Sequence, residues 1–113
     1  MHEFGLAEST LTLALETAQK QGARRILEVR MQIGALSGVV SEAFEFAFGA
    51  LAENTIAAGA ELVIEHVPVS CFCCKCGREF ETDVYAYQCP ACGEASDDVR
   101  RGRELNLVSM EVS

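Results

Sequence analysis

Two Cys-x-x-Cys-Gly turns, Cys73-Cys74-Lys75-Cys76-Gly77 and Cys89-Pro90-Ala91-Cys92-Gly93, with twelve residues between Cys76 and Cys89, most tightly limit what this chain can fold into. Each turn brings two sulfurs to one side, and the glycine lets backbone amides approach them. Four thiolates make a closed tetrahedral shell that suits a structural zinc ion and leaves no position for water or substrate. Such an ion supplies folding free energy to a lobe with almost no apolar core. Disulfides and an iron-sulfur cluster are the competing uses of these residues.

All six cysteines lie between Cys71 and Cys92, and Cys71-Phe72-Cys73-Cys74 is itself a Cys-x-x-Cys. The glycines set the register. Gly77 follows Cys76 as Gly93 follows Cys92, so the expected ligands are Cys73, Cys76, Cys89 and Cys92. Cys71 and Cys74 remain as spare thiols, filling space as small apolar side chains. In a secreted chain the same density would indicate a disulfide framework. The start, Met1-His2-Glu3-Phe4-Gly5, has neither the basic segment nor the apolar run of a signal peptide, so a cytoplasmic address is expected.

The rest of the chain predicts a compact α+β unit. Phe4, Ala7, Leu11, Ala14, Leu15 and Ala18 recur at helical spacing, and Gly22 terminates the run. Leu27, Val29, Met31 and Ile33 then alternate with Glu28, Arg30 and Gln32, as in a strand with one wet face. Ser41 is the expected N-cap of a second helix with the stripe Phe44, Ala47, Phe48 and Leu51. A second strand is expected over Glu61 to Val69, stopped near Pro68, and a third closes the chain with Val108, Met110 and Val112 on one face. The expected architecture is two helices packed on a three-stranded sheet in αβαββ order, with a small zinc-knuckle lobe inserted before the last strand.

The expected division is 1–69 plus 104–113 for the outer domain and 70–103 for the zinc lobe. Charge follows it: the outer part has four basic and eleven acidic residues, net −7, and the lobe five and six, net −1. The chain as a whole carries −8. That repels phosphate backbones and anionic membranes, so no nucleic acid and no membrane partner is expected. No Gly-rich phosphate loop or nucleophile constellation is present, and two histidines are too few for most hydrolytic designs; the chain is not expected to be an enzyme.

His2 is the other candidate site residue. Next to the chain start, its imidazole, its deprotonated backbone nitrogen and the Met1 amine form a compact nitrogen chelate suited to Ni(II) or Cu(II). Glu3 offers an oxygen nearby as a secondary contributor. A frayed, solvated terminus is the alternative.

The Met-His-Glu start, the run Gln32-Ile33-Gly34-Ala35-Leu36-Ser37, the paired knuckles, and Gly102-Arg103-Glu104-Leu105 leading into Val108-Ser109-Met110-Glu111-Val112 together resemble the HypA/HybF family of hydrogenase maturation nickel chaperones. The resemblance covers essentially the full length. It implies a metallochaperone that carries Ni(II) as cargo to the large subunit of nickel-iron hydrogenase, sometimes also supporting urease and its maturation proteins, together with a HypB-type GTPase. A homodimer is left open. The resemblance further implies that His2 binds nickel and that Cys73, Cys76, Cys89 and Cys92 bind zinc. One departure stands out. Family members place an acidic residue in the loop before the second helix as an additional nickel contributor, whereas here that stretch reads Gly38-Val39-Val40-Ser41, and Glu42 is the first carboxylate. A zinc-stabilised adaptor without a nickel role is the rival account.

Overall fold

The computed structural model describes residues 2–113. In chain order the elements are α1 (Glu3–Lys20), β1 (Ile26–Gly34), α2 (Ser41–Ala52), β2 (Glu61–Val67), β3 (Val69–Cys73), β4 (Arg78–Thr82), β5 (Val99–Arg101) and β6 (Leu105–Val112). One sheet has the order β2-β1-β6 and the other β4-β3-β5. The two helices and the three-stranded sheet are thus as expected, with the lobe between β2 and β6. The lobe, however, contains a sheet of its own, and Val69, expected to end the second strand, instead begins the lobe's first strand. Pro68 separates the two strands. Among the described residues no helix is long and apolar enough to cross a membrane.

Two compact units are present. The first comprises the chain up to Gln32, Gly38–Glu65 and Asn106–Ser113, and the second Ile33–Ser37 and His66–Leu105. In the first, α1 buries Ala7, Leu11, Ala14 and Ala18 at helical spacing, and the small side chains of the three alanines let α2 approach closely. α2 contributes Phe44, Ala47, Phe48 and Ala52; the rings of Phe44 and Phe48 stack with centroids 6.4 Å apart. Phe44 is the largest of the fully buried side chains among the described residues.

Several sequence expectations are corrected. Phe4 is exposed, because it precedes the packed stripe that starts at Ala7. Leu27 is exposed and Ile26 is buried in its place: the Ile26 N–H donates to the Ile56 carbonyl at 2.9 Å and fixes how the strand enters. On β6 it is Val108 that faces out, while Met110 and Val112 are half-buried. Ser41 is the first helical residue of α2, and the N-cap is Val40, which has no capping side chain of its own.

The second unit has more of a core than its composition promised. Val69, Cys71, Cys73 and Cys89 are all buried. β3 pairs antiparallel with β4 from Val69↔Thr82 to Cys73↔Arg78, and with β5 through Ser70↔Arg101 and Cys71↔Val99, with a register shift between Ser70 and Cys71. Residues 33–37 join this unit through their backbone: the N–H groups of Gly34, Ala35 and Leu36 donate to the carbonyls of Glu104, Val67 and Gly102 at 2.7, 2.9 and 2.6 Å. A methyl group on Gly34 would run into the carbonyl of Gly102 and the nitrogen of Arg103, neither of which can rotate away. Gly34→Ala should therefore destabilise the protein by about 3 kcal/mol in denaturant titration. Gly5→Ala, whose new methyl meets nothing within 4 Å, should stabilise α1 by about 0.5–1 kcal/mol.

Candidate metal centre

Two hairpin turns of like construction bring the four cysteines together. The first joins β3 to β4: Cys73 ends one strand, Arg78 begins the next and the two are paired, so residues 74–77 form the loop. The Gly77 N–H donates to the Cys73 carbonyl at 2.7 Å, and the Cys76 N–H points at the Cys73 sulfur at 3.4 Å. In the second turn the Gly93 N–H donates to the Cys89 carbonyl at 2.7 Å, and the Cys89 N–H to the Glu94 carbonyl at 2.8 Å. A bridge between Gln88 and Ala95 holds its base. Gly77 and Gly93 have φ of 71° and 76°, a left-handed conformation that a β-carbon disfavours. The glycines that set the register in the sequence are thus the residues that close the turns.

The sulfurs of Cys73, Cys76, Cys89 and Cys92 lie within 4.8 Å of one another. Cys73 Sγ is 3.6 Å from Cys92 Sγ, and Cys89 Sγ is 3.9 Å from Cys76 Sγ. A disulfide requires about 2.05 Å. A tetrahedral ion bound to sulfur at about 2.3 Å places its ligands about 3.8 Å apart, which the observed separations bracket. The donor set therefore fits one tetrahedral ion. The Cys76 thiol is pushed up to about 12 by its hydrogen bonds with Cys92 and then Cys89, while Cys89 is drawn down to about 7, chiefly by the Cys92 backbone N–H. Packed sulfurs share too little positive charge to be thiolates together, and a cation supplies it.

The two spare cysteines differ. Cys74 is exposed in the first turn. Cys71 is fully buried on β3, where desolvation raises its pKa, so it behaves as an apolar core residue. Beside the turn, Arg100 is held internally. It forms two 2.8 Å hydrogen bonds to the Asp98 carboxylate, and its guanidinium lies over the Phe72 ring at 4.4 Å. This pins β5 to β3.

His2 is the N-cap of α1 and is exposed; its carbonyl accepts the Leu6 N–H at 3.1 Å. The Met1 amine lies outside the described residues. The Glu3 carboxylate accepts the Val40 N–H at 3.0 Å, and this bond is the main reason its pKa is lowered. Glu3 thus supplies, from another helix, a bond at the start of α2. The sequence singles Glu3 out only as an oxygen near the chain start, and its partner, 37 residues away, is not legible there. Among the described residues no third histidine, cysteine or carboxylate joins His2 and Glu3 in a donor cluster.

Comparison with known proteins adds three findings. The family described as hydrogenase/urease nickel incorporation, metallochaperone, hypA matches residues 1–112. The chain is 44% identical over 112 residues to the hydrogenase maturation factor HypA of Picosynechococcus sp., covering 99% of each chain, and 43% identical over 112 residues to that of Geobacter metallireducens, again covering 99% of each. The solution structure of the nickel metallochaperone HypA from Helicobacter pylori superimposes with a TM-score of 0.68 at 28% identity, covering 99% of this chain and 97% of that one.

Replacing Cys73, Cys76, Cys89 or Cys92 with Ser should remove bound metal and the amide protection of the knuckles, whereas Cys74→Ser should keep both. Cys71→Ser should keep the metal and lose about 1–3 kcal/mol, since it buries an unmatched hydroxyl. Metal content per chain and thermal unfolding check all six. For the other contact, Glu3→Ala should speed hydrogen exchange at the Val40 amide, with α1 and α2 still folded.

Proposed function

From the premise that the chain belongs to the HypA family of nickel-incorporation metallochaperones for hydrogenase, we propose that it carries Ni(II) at its N-terminus and holds Zn(II) in the four-cysteine site. The observation that carries this reading is that the family match spans residues 1–112 and so includes both His2 and the four cysteines.

The donor chemistry assigns the two metals to different places. Four thiolates favour zinc, and a closed shell makes its role structural. A multi-iron cluster spreads its cysteines over several irons and needs a wider opening than sulfurs within 4.8 Å of one another leave. Nitrogen donors at a chain terminus suit Ni(II) and leave it open to an acceptor. The backbone N–H of an N-cap residue is not needed by the helix, so the His2 nitrogen is free to lose its proton to a metal without breaking a helical hydrogen bond. The positive end of α1 opposes a dication there, and Glu3 offsets part of that repulsion. A cargo site needs such moderate affinity, because the ion must leave. One oxygen of the Glu3 carboxylate accepts the Val40 N–H, and the other is the secondary nickel contributor in this reading. The recipients in this reading are the hydrogenase large subunit and a HypB-type GTPase in the cytoplasm, with a urease maturation system as a further client.

The experiment is nickel titration by calorimetry on three forms of the protein. His2→Ala should abolish specific nickel binding while zinc content and fold stay unchanged. An extension before Met1 turns its amine into a poorer amide donor and should weaken binding at least about tenfold. A C-terminal tag should change nothing. Equal affinity in the native, extended and His2→Ala forms would eliminate the terminal site and leave a zinc-stabilised adaptor.

A further inference from the structure

α2 is apolar on both sides. Its inward stripe of Phe44, Ala47, Phe48 and Ala52 is buried. Its outward side, however, presents Ala43, Phe46, Gly49 and Ala50, all exposed, with Phe46 at 80%. Phe46, Gly49, Ala50 and Glu53 fall at i, i+3, i+4 and i+7, a single line along the helix. A helix on the surface of a soluble protein ordinarily turns polar residues outward.

Two independent features of this line point to an external partner. The first is Gly49, in a helix where glycine is a poor former. An added β-carbon there would meet nothing within 4 Å, so no packing inside the protein requires glycine. It leaves a flat place beside the Phe46 ring where another chain can come close. The second is charge. The ionised groups of α2 are Glu42 and Glu45, with Glu53 at its C-cap, and the helix has no basic residue.

We infer that the outward face of α2 docks a basic protein segment. The partner offers an apolar pocket to the Phe46 ring, lies against Gly49 and Ala50, and sets Lys or Arg groups against Glu42, Glu45 and Glu53. This is the helix-in-groove mode, with an aromatic anchor and a charged rim. A second copy of this chain fits poorly, since a two-fold contact through this face opposes carboxylates to carboxylates in a chain of net charge −8. The inference is independent of nickel binding, because Phe46, Gly49 and Ala50 carry no metal donor.

The test uses the zinc-loaded, nickel-free full chain labelled with 15N. The probe is a synthetic amphipathic helical peptide with leucines on one face flanked by lysines, alongside a scrambled peptide of the same composition. Saturable shifts should concentrate in residues 42–53, and the scrambled peptide should not reproduce them. Phe46→Ala should weaken binding about tenfold or more. Gly49→Leu, which fills the flat place, should do the same. Glu45→Gln combined with Glu53→Gln should weaken binding several-fold and flatten its salt dependence. All these side chains point to solvent, so circular dichroism should show the fold intact in each variant. Equal affinity for Phe46→Ala and the parent, shifts mapping elsewhere, or equal binding of the scrambled peptide would overturn the inference. A concentration-dependent dimer lost in Phe46→Ala would overturn it too, assigning the face to a second copy.

Discussion

Four sulfurs held within a few ångströms of one another are the condition on which the second unit rests. They belong to two hairpin turns from separate parts of the chain, and closing the loop between them costs entropy that a handful of buried side chains cannot offset. A single tetrahedral ion does so directly, since its binding free energy is gained only when both turns are formed. Glycine completes the arrangement at two points. Gly77 and Gly93 supply the left-handed residues that turn the backbone back towards the sulfurs. The small core of Val69, Cys71, Cys73 and Cys89 then packs the strands behind the first turn.

The first unit works differently, by area rather than by coordination. Small residues on α1 let α2 settle closely, and Phe44 and Phe48 fill the space between them. No metal is needed for that packing. The proposed carrier role rests on a contrast: an ion in the four-cysteine site would have a saturated shell, while His2 stands on an exposed N-cap, where a nickel ion would be open to a recipient. Chaperoning a metal demands this asymmetry between an ion that stays and an ion that goes.

The helices, the order of the elements and the cysteine register were legible because each is written locally, as a period of 3.6 residues or as a glycine after a cysteine. What escaped was nonlocal. In the sequence Val69 reads as the end of the preceding strand and residues 70–73 only as the start of the lobe, since nothing before Pro68 says that Val69–Cys73 forms a strand of its own paired with Arg78–Thr82. Leu27 appeared to be on the inward face until the bond from Ile26 to Ile56 set the strand entry. Ser41 had the right chemistry for an N-cap, yet a carboxylate from α1 reaches Val40 first. Glu3 could be picked out as an oxygen near the terminus, but its partner depends on how two helices pack, which periodicity does not encode.

The central claim is that this chain keeps two metals in two chemically distinct environments, sulfur for zinc and nitrogen for nickel. X-ray absorption at both edges, on one untagged sample loaded with one equivalent of each metal, tests it most directly. The account predicts four sulfur scatterers at about 2.3 Å around zinc and a nickel shell of nitrogen and oxygen without sulfur. Sulfur around nickel, or an imidazole in the zinc shell, would contradict it.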